Sequence, residues 1–217
     1  MYTSIFESRA LVLSVIGFSW IVFVNWGFLF WIAPYLLRAF DISAGEVGIS
    51  LGLATAAGGW IGVIAGGVIS DRLVARTRWA RMLVGLAVAV LAPPVAMAML
   101  SAKSIHVASV MYFLFMVVSN LAIGPASANV NELVPARVRG TASALYLLSL
   151  TFIGQALGPY AVGKMSDALS SAGASGPDAL RSSLTILLFG FAVGFVFLVL
   201  AGRSMPIDRS SSLQTGE

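Results

Sequence analysis

The sequence has no cysteine and a single histidine, His106. A disulfide, a thiolate nucleophile and a zinc–thiolate centre are therefore excluded, and one imidazole is a poor basis for a metal site. Charge is also scarce: Asp, Glu, Lys and Arg make up 10% of 217 residues, where soluble domains carry about 25%. Water cannot be the solvent around most of such a chain. The 13 basic residues set a net charge of +4, but they are scattered between apolar runs and form no continuous patch for a nucleic acid. No paired acids, His cluster or activated nucleophile share a common depth, so neither an enzyme nor a cofactor is expected.

Long apolar stretches are what the chain does have: 59% of residues are hydrophobic and the mean hydropathy is +0.94. Six runs stand out, at Leu11–Leu37, Glu46–Ile69, Met82–Leu100, Ile105–Asn131, Gly140–Met165 and Leu184–Ala201. At about 1.5 Å per helical residue, such runs match a hydrocarbon core of about 30 Å, and the longer ones leave room for tilt. The first lacks a basic start and a small-residue cleavage site, so it reads as a true span and not a cleaved leader. Ser170–Asp178 reads as the one long loop from its Ser, Gly and Pro content. The expected fold is an all-α integral membrane domain over residues 1–203, followed by a polar, disordered cytoplasmic tail over 204–217.

Basic residues orient the spans. One face collects Arg9, Arg72, Arg76, Arg78, Arg81, Arg137, Arg139, Arg203 and Arg209; the other only Arg38, Lys103, Lys164 and Arg181. The positive-inside rule predicts that the first face, with both termini, is cytoplasmic; the expected location is a bacterial inner membrane. His106 starts a span on the other face and reads as an interfacial residue.

A shift of 96 residues lays Ala65-Gly66-Gly67-Val68-Ile69-Ser70-Asp71-Arg72-Leu73 over Ala161-Val162-Gly163-Lys164-Met165-Ser166-Asp167-Ala168-Leu169, and pairs Leu51 with Leu147, Gly58 with Gly154 and Gly62 with Gly158. Span two thus matches span five, although one ends inside and the other outside. This predicts a 3+3 repeat of inverted topology, an architecture of transporters. Chance matching of glycines in apolar helices is the alternative.

The motifs carry a family likeness. Gly67-x-x-x-Asp71-Arg72-x-x-x-Arg76 resembles the signature of the major facilitator superfamily (MFS) between its second and third spans, which recurs between spans eight and nine. Phe30-Trp31-Ile32-Ala33-Pro34-Tyr35-Leu36-Leu37-Arg38, Gly58-Gly59-x-x-Gly62, Gly124-Pro125, Val134-Pro135-x-x-x-Arg139-Gly140-Thr141-Ala142 and Gly154-x-x-x-Gly158-Pro159 resemble the spinster-like branch. The likeness covers about residues 12–200, departs at Val74 where a glycine is common, and lacks six of twelve spans. It implies half of an MFS fold, the family's spans seven to twelve, and an amphipathic, organic-anion or lipid-like substrate. It also implies a partner, either an N-terminal half or a second copy.

Two groups of residues become candidates. At the cytoplasmic face Gly67, Asp71, Arg72, Arg76, Arg139 and Gly140 form a gate motif: Asp71 would meet a helix N-terminus of the other half, with Arg72 and Arg76 bridging nearby. The alternative is a plain helix stop with basic anchors. At mid-depth Asn25, Asn120 and Gln155 should face protein or a watery cavity, because an unpartnered amide in hydrocarbon costs several kcal/mol in the strict limit. Tyr146 and Thr151 could join them, with Phe28 and Trp31 as apolar wall. Interhelical hydrogen bonding is the alternative, typically about 0.6 kcal/mol per pair. Gly58, Gly62, Gly66, Gly154 and Gly158 read as close-packing faces, and the prolines as sites of bending. A six-span scaffold or a non-functional truncated transporter is the rival reading of the whole.

Overall fold

The computed structural model describes residues 9–40, 42–77 and 79–204. Arg78, Arg209 and the expected tail beyond Ser204 lie outside the described residues. Six helical spans are long and apolar enough to cross a membrane: span one Arg9–Phe40, span two Ala44–Val74, span three Ala80–Leu100, span four Ile105–Glu132, span five Ala136–Ser171 and span six Gly176–Arg203. The six expected runs are all present, with helix continuing beyond them at most ends, furthest at the start of span six, where it begins at Gly176.

Spans two, four and six all start at the membrane face opposite the termini, and each has a serine N-cap. Ser43 and Glu46 form a capping box at span two, Ser104 Oγ accepts from Val107 N at span four, and Ser175 Oγ accepts from Asp178 N at span six. These caps satisfy amides that have no intrahelical partner. The loop expected at Ser170–Asp178 is shorter, since helix runs to Ser171 and resumes at Gly176.

Two spans are irregular. Span four stops at Asn120 and resumes at Ile123; Pro125 has no N–H to offer the Leu121 carbonyl, so the ladder cannot run through. Span five changes to a π-helix over Leu150–Ala156 between α-helical ends, just before Pro159, which likewise leaves the Gln155 carbonyl without its usual donor.

Packing follows the inverted repeat. Spans one and four form the centre, through Phe18, Ile21, Val24, Phe28 and Ile32 on one and Tyr112, Phe115 and Met116 on the other, all almost fully buried. The rings of Phe28 and Phe115 meet at 4.9 Å. Span two lies on span four through Gly58, Gly62 and Gly66: a methyl added at Gly58 would sit 2.8 Å from Met116 Cβ, and ones at Gly62 and Gly66 would overlap the carbonyls of Val117 and Leu121. Span five lies on span one in the matching way, with Gly154 against Val22 and Gly158 against the Phe23 carbonyl. Ser70 and Ser166, paired by the repeat, are both buried, and Asp71 and Asp167 are both exposed.

The outward faces of spans two and five are bare. Trp60 is 77% exposed, Leu53 68%, Phe152 63% and Tyr160 62%, so large apolar side chains stand open on both helices. Spans three and six each bury one face, against spans four and one.

The glycine contacts predict an asymmetry within one helix. Gly62→Ala forces a backbone carbonyl aside and lowers unfolding stability in detergent by about 1–3 kcal/mol. Gly67→Ala, with nothing within 4 Å of the added carbon, changes it by less than about 0.5 kcal/mol or raises it slightly. Thermal midpoints of the two variants check this.

Candidate functional site

A cavity of about 280 Å³ opens at mid-depth between spans one, two, four and five. Asn25, Trp26 and Leu29 line it from span one, Thr55 and Gly59 from span two, Ser119 and Asn120 from span four, and Tyr146 and Leu150 from span five. The α-to-π change begins at Leu150, so Tyr146 is held by the regular helix on one side of it. Asn120 Nδ2 donates to its own helix at the Met116 carbonyl, 2.7 Å away. Asn25 makes no hydrogen bond among the described residues. A carboxamide without a protein partner at that depth is unfavourable unless water or a solute meets it.

The other expected residues lie elsewhere. Phe28 is fully buried against Phe115 and forms core, not cavity wall. Trp31 is turned to span five, where its Nε1 donates to the Pro159 carbonyl at 2.8 Å; an indole N–H in lipid needs an acceptor, and this carbonyl supplies it. Thr151 and Gln155 sit in the π segment and are exposed, outside the cavity lining. The wider turn there departs from the α-helical spacing that would align them with Tyr146.

Several polar residues had no distinguishing mark in the sequence. Thr55 Oγ1 and the Tyr112 hydroxyl are 2.9 Å apart, joining spans two and four. Asn129 Nδ2 donates to Ser14 Oγ at 3.0 Å, and Ser14 Oγ donates to the Leu11 carbonyl at 2.9 Å. This buried link ties span four to span one on the side of the termini. Asn129 lies near a span end, where an amide is unremarkable, and single hydroxyls are frequent in membrane helices.

At the face bearing the termini, the gate motif has a hub that was not expected. Arg81 Nε is 2.7 Å and Nη2 2.5 Å from the two carboxylate oxygens of Glu132, a bidentate pair joining spans three and four. Asp71 Oδ1 lies 4.0 Å from Arg81 Nη1. Among the described residues the cation that reaches Asp71 is thus Arg81. Arg72 and Arg76, with Arg139 and Gly140, are exposed. The Asp71 side chain is 76% exposed, against 16% for Arg81, so most of the carboxylate surface remains open. Arg81 and Glu132 begin and end antiparallel neighbours at one membrane face, a relation that could have flagged the pair.

Residues 1–159 match the family model described as Major Facilitator Superfamily. The chain belongs to the Major Facilitator Superfamily. It is 34% identical over 160 residues to an MFS-type efflux pump of Mycolicibacterium smegmatis, across 71% of this chain and 35% of that protein. Its fold is similar to crystal structures of a bacterial homolog of the human lysosomal transporter Spinster. In the inward-facing, unoccupied form the TM-score is 0.80 at 22% identity, covering 94% of this chain and 49% of the other. In the inward-facing, occupied form it is 0.79 at 22% identity, covering 93% and 50%. The chain thus spans about a third of the pump's length and half of the Spinster homolog's.

In MFS terms the six spans are an all-α half fold built as an inverted repeat, in a multi-pass membrane protein of a family of solute carriers. The cavity and the charged hub lie at different depths of this MFS half: amides and hydroxyls at the middle, an Asp–Arg–Glu cluster at one face. The hub predicts coupling between spans. A double-mutant cycle on Arg81→Gln and Glu132→Gln, read by thermal stability, should give an interaction energy of about 1 kcal/mol, above the usual exposed pair because the geometry is bidentate and Arg81 is largely buried. Additive effects would mean the pair is not held in the folded protein.

Proposed function

We propose that the chain forms the C-terminal six-span half of a spinster-like MFS secondary transporter, moving an amphipathic or lipid-like solute by alternating access. The observation that carries this reading is Asn25: a carboxamide at mid-membrane, with no protein hydrogen bond among the described residues, lining a cavity shared with Asn120 and Tyr146. Such a group is tolerable where a solute or water completes it.

The bare outward faces of spans two and five support a second six-span half packed over them, from a longer chain, a separate protein or another copy. The cavity then lies between halves, at the depth where transporter sites form. Its lining combines two amides, hydroxyls and a phenol with apolar walls, and none of its residues is ionisable apart from Tyr146. That chemistry suits a solute with a polar head and an apolar body; a proton-coupling carboxylate would belong to the other half. Nine basic residues on the terminus face against four on the other support cytoplasmic termini.

Asp71 acts as half of the cytoplasmic gate. Its exposed carboxylate meets the positive N-terminal end of a helix in the other half when that side is closed, which shifts the alternating-access equilibrium toward that state. Arg81 holds Asp71 at the membrane face from behind, while Arg72 and Arg76 lie free to bridge across the gap.

The absence of cysteine makes a labelling test clean. Asn25→Cys and Asn120→Cys, each alone in membranes holding the assembled protein, should react with a hydrophilic maleimide, whereas Val90→Cys on span three should not. Adding Asp71→Asn should raise labelling from the cytoplasmic side two- to fivefold, equivalent to about 0.4–1 kcal/mol of lost helix-end attraction. Unreactive thiols at both amide positions would favour the scaffold reading.

A further inference from the structure

On the peripheral side of the bundle, away from the central cavity, two depressions lie one above the other. The deeper is an apolar groove of about 580 Å³ between spans three and six, walled by Val90, Pro93, Met97, Leu188, Phe189 and Phe195. Its one hydroxyl, Thr185, donates into its own helix at the Arg181 carbonyl, 2.9 Å away. The upper is a polar pocket between the ends of spans one and three and the start of span six, lined by Arg38, Lys103, Arg181 and Asp178.

The two share the same helices and adjoin: Met97 of the groove is one turn from Ser101 of the pocket, and Thr185 is one turn from Arg181. A long contact of 3.5 Å from Arg181 Nη2 to Ser101 Oγ bridges spans six and three at the junction. The groove extends along span six from Thr185 to Val196, about 16 Å at 1.5 Å per residue, which is the depth of one leaflet in a core of about 30 Å.

We propose that this composite surface binds one anionic phospholipid, with its phosphodiester head in the basic pocket and an acyl chain in the groove. Charge complementarity selects the head. The face opposite the termini has four basic residues, and three of them, Arg38, Lys103 and Arg181, converge on this pocket. The acidic residue that lines the pocket with them among the described residues, Asp178, is engaged by its own helix cap, where Ser175 Oγ donates to Asp178 Oδ2 at 2.5 Å. No ion pair within the chain neutralises the three cations among the described residues. Depth selects the tail, since a groove of this composition inside the bilayer is filled by hydrocarbon. A zwitterionic lipid would fit the groove but would bring an ammonium group toward three cations.

The site is independent of what the central cavity carries and of which way the chain crosses the membrane. It also gives a reason for basic residues on a face where they are otherwise few: they recruit lipid at the seam between spans one, three and six.

The test is native mass spectrometry of the full chain released from bilayers of equal phosphatidylglycerol and phosphatidylcholine. The wild type should retain phosphatidylglycerol in preference, and sn-glycerol 3-phosphate should not displace it. Each cation near an anionic lipid contributes about fivefold in binding, so combining Arg38→Gln, Lys103→Gln and Arg181→Gln should cut retention by at least about tenfold. Ala192→Trp, which fills the groove without touching charge, should also lower retention, and Arg38→Lys with Arg181→Lys should preserve it. Equal retention of both lipids, or retention indifferent to the charge and groove variants, would overturn the proposal. Displacement by glycerol phosphate alone would reduce it to a free-anion site and equally overturn it.

Discussion

Helices immersed in hydrocarbon gain nothing by expelling water from between them, so their association rests on how closely their backbones can approach. In this chain that approach is made at two glycine faces. Gly58, Gly62 and Gly66 bring span two against the backbone of span four, and Gly154 and Gly158 bring span five against span one. Each repeat thereby clasps the first span of the other. The aromatic centre at Phe28 and Phe115 is enclosed as a result, and the opposite faces of spans two and five are left uncovered. The cavity at Asn25 and Asn120 adjoins the glycine contacts, since Met116 and Asn120, against which Gly58 and Gly62 pack, and Val22, against which Gly154 packs, all line it.

The irregular backbone lies next to the same contacts. Gly66 packs against Leu121, where span four is interrupted, and Gly154 lies within the π segment of span five. Non-helical or widened turns are tolerated in a membrane where protein or a watery space covers the freed carbonyls. Just beyond the widened turn of span five, the Trp31 indole N–H adds a cross-span hydrogen bond to the Pro159 carbonyl. The bundle thus has two places, near mid-depth, where the helical ladder is already loosened, while the end bearing the termini is tied by Asn129 to Ser14 and by Arg81 to Glu132. That distribution suits halves that rock about a centre and lock at a face.

Much of the fold was legible because its causes are local or periodic. Span number and the inverted repeat follow from apolar run length and from matched glycines and the Ser-Asp helix end. The close-packing role of the glycines follows from their four-residue spacing. The site was less legible, since depth alone does not say which way a side chain points. Asn25, Asn120 and Tyr146 reach the cavity, but Phe28 is taken into the core. Gln155 and Thr151 are turned aside by a π-helix, where Pro159 signals a bend but not the widened turn. The Arg81–Glu132 hub was half legible: the order of the spans puts both residues at one membrane face on neighbouring helices, but which charged side chains pair there depends on how the bundle packs.

The central claim is that the face of spans two and five is covered by a second six-span body, while the face of spans three and six meets lipid. Photocrosslinking from a benzoyl-phenylalanine placed at Trp60 or Phe152, compared with one at Phe189, tests it in native membranes with the protein as expressed. The account predicts protein crosslinks from the first two positions and lipid adducts alone from Phe189. Lipid adducts alone from Trp60 and Phe152 would contradict it.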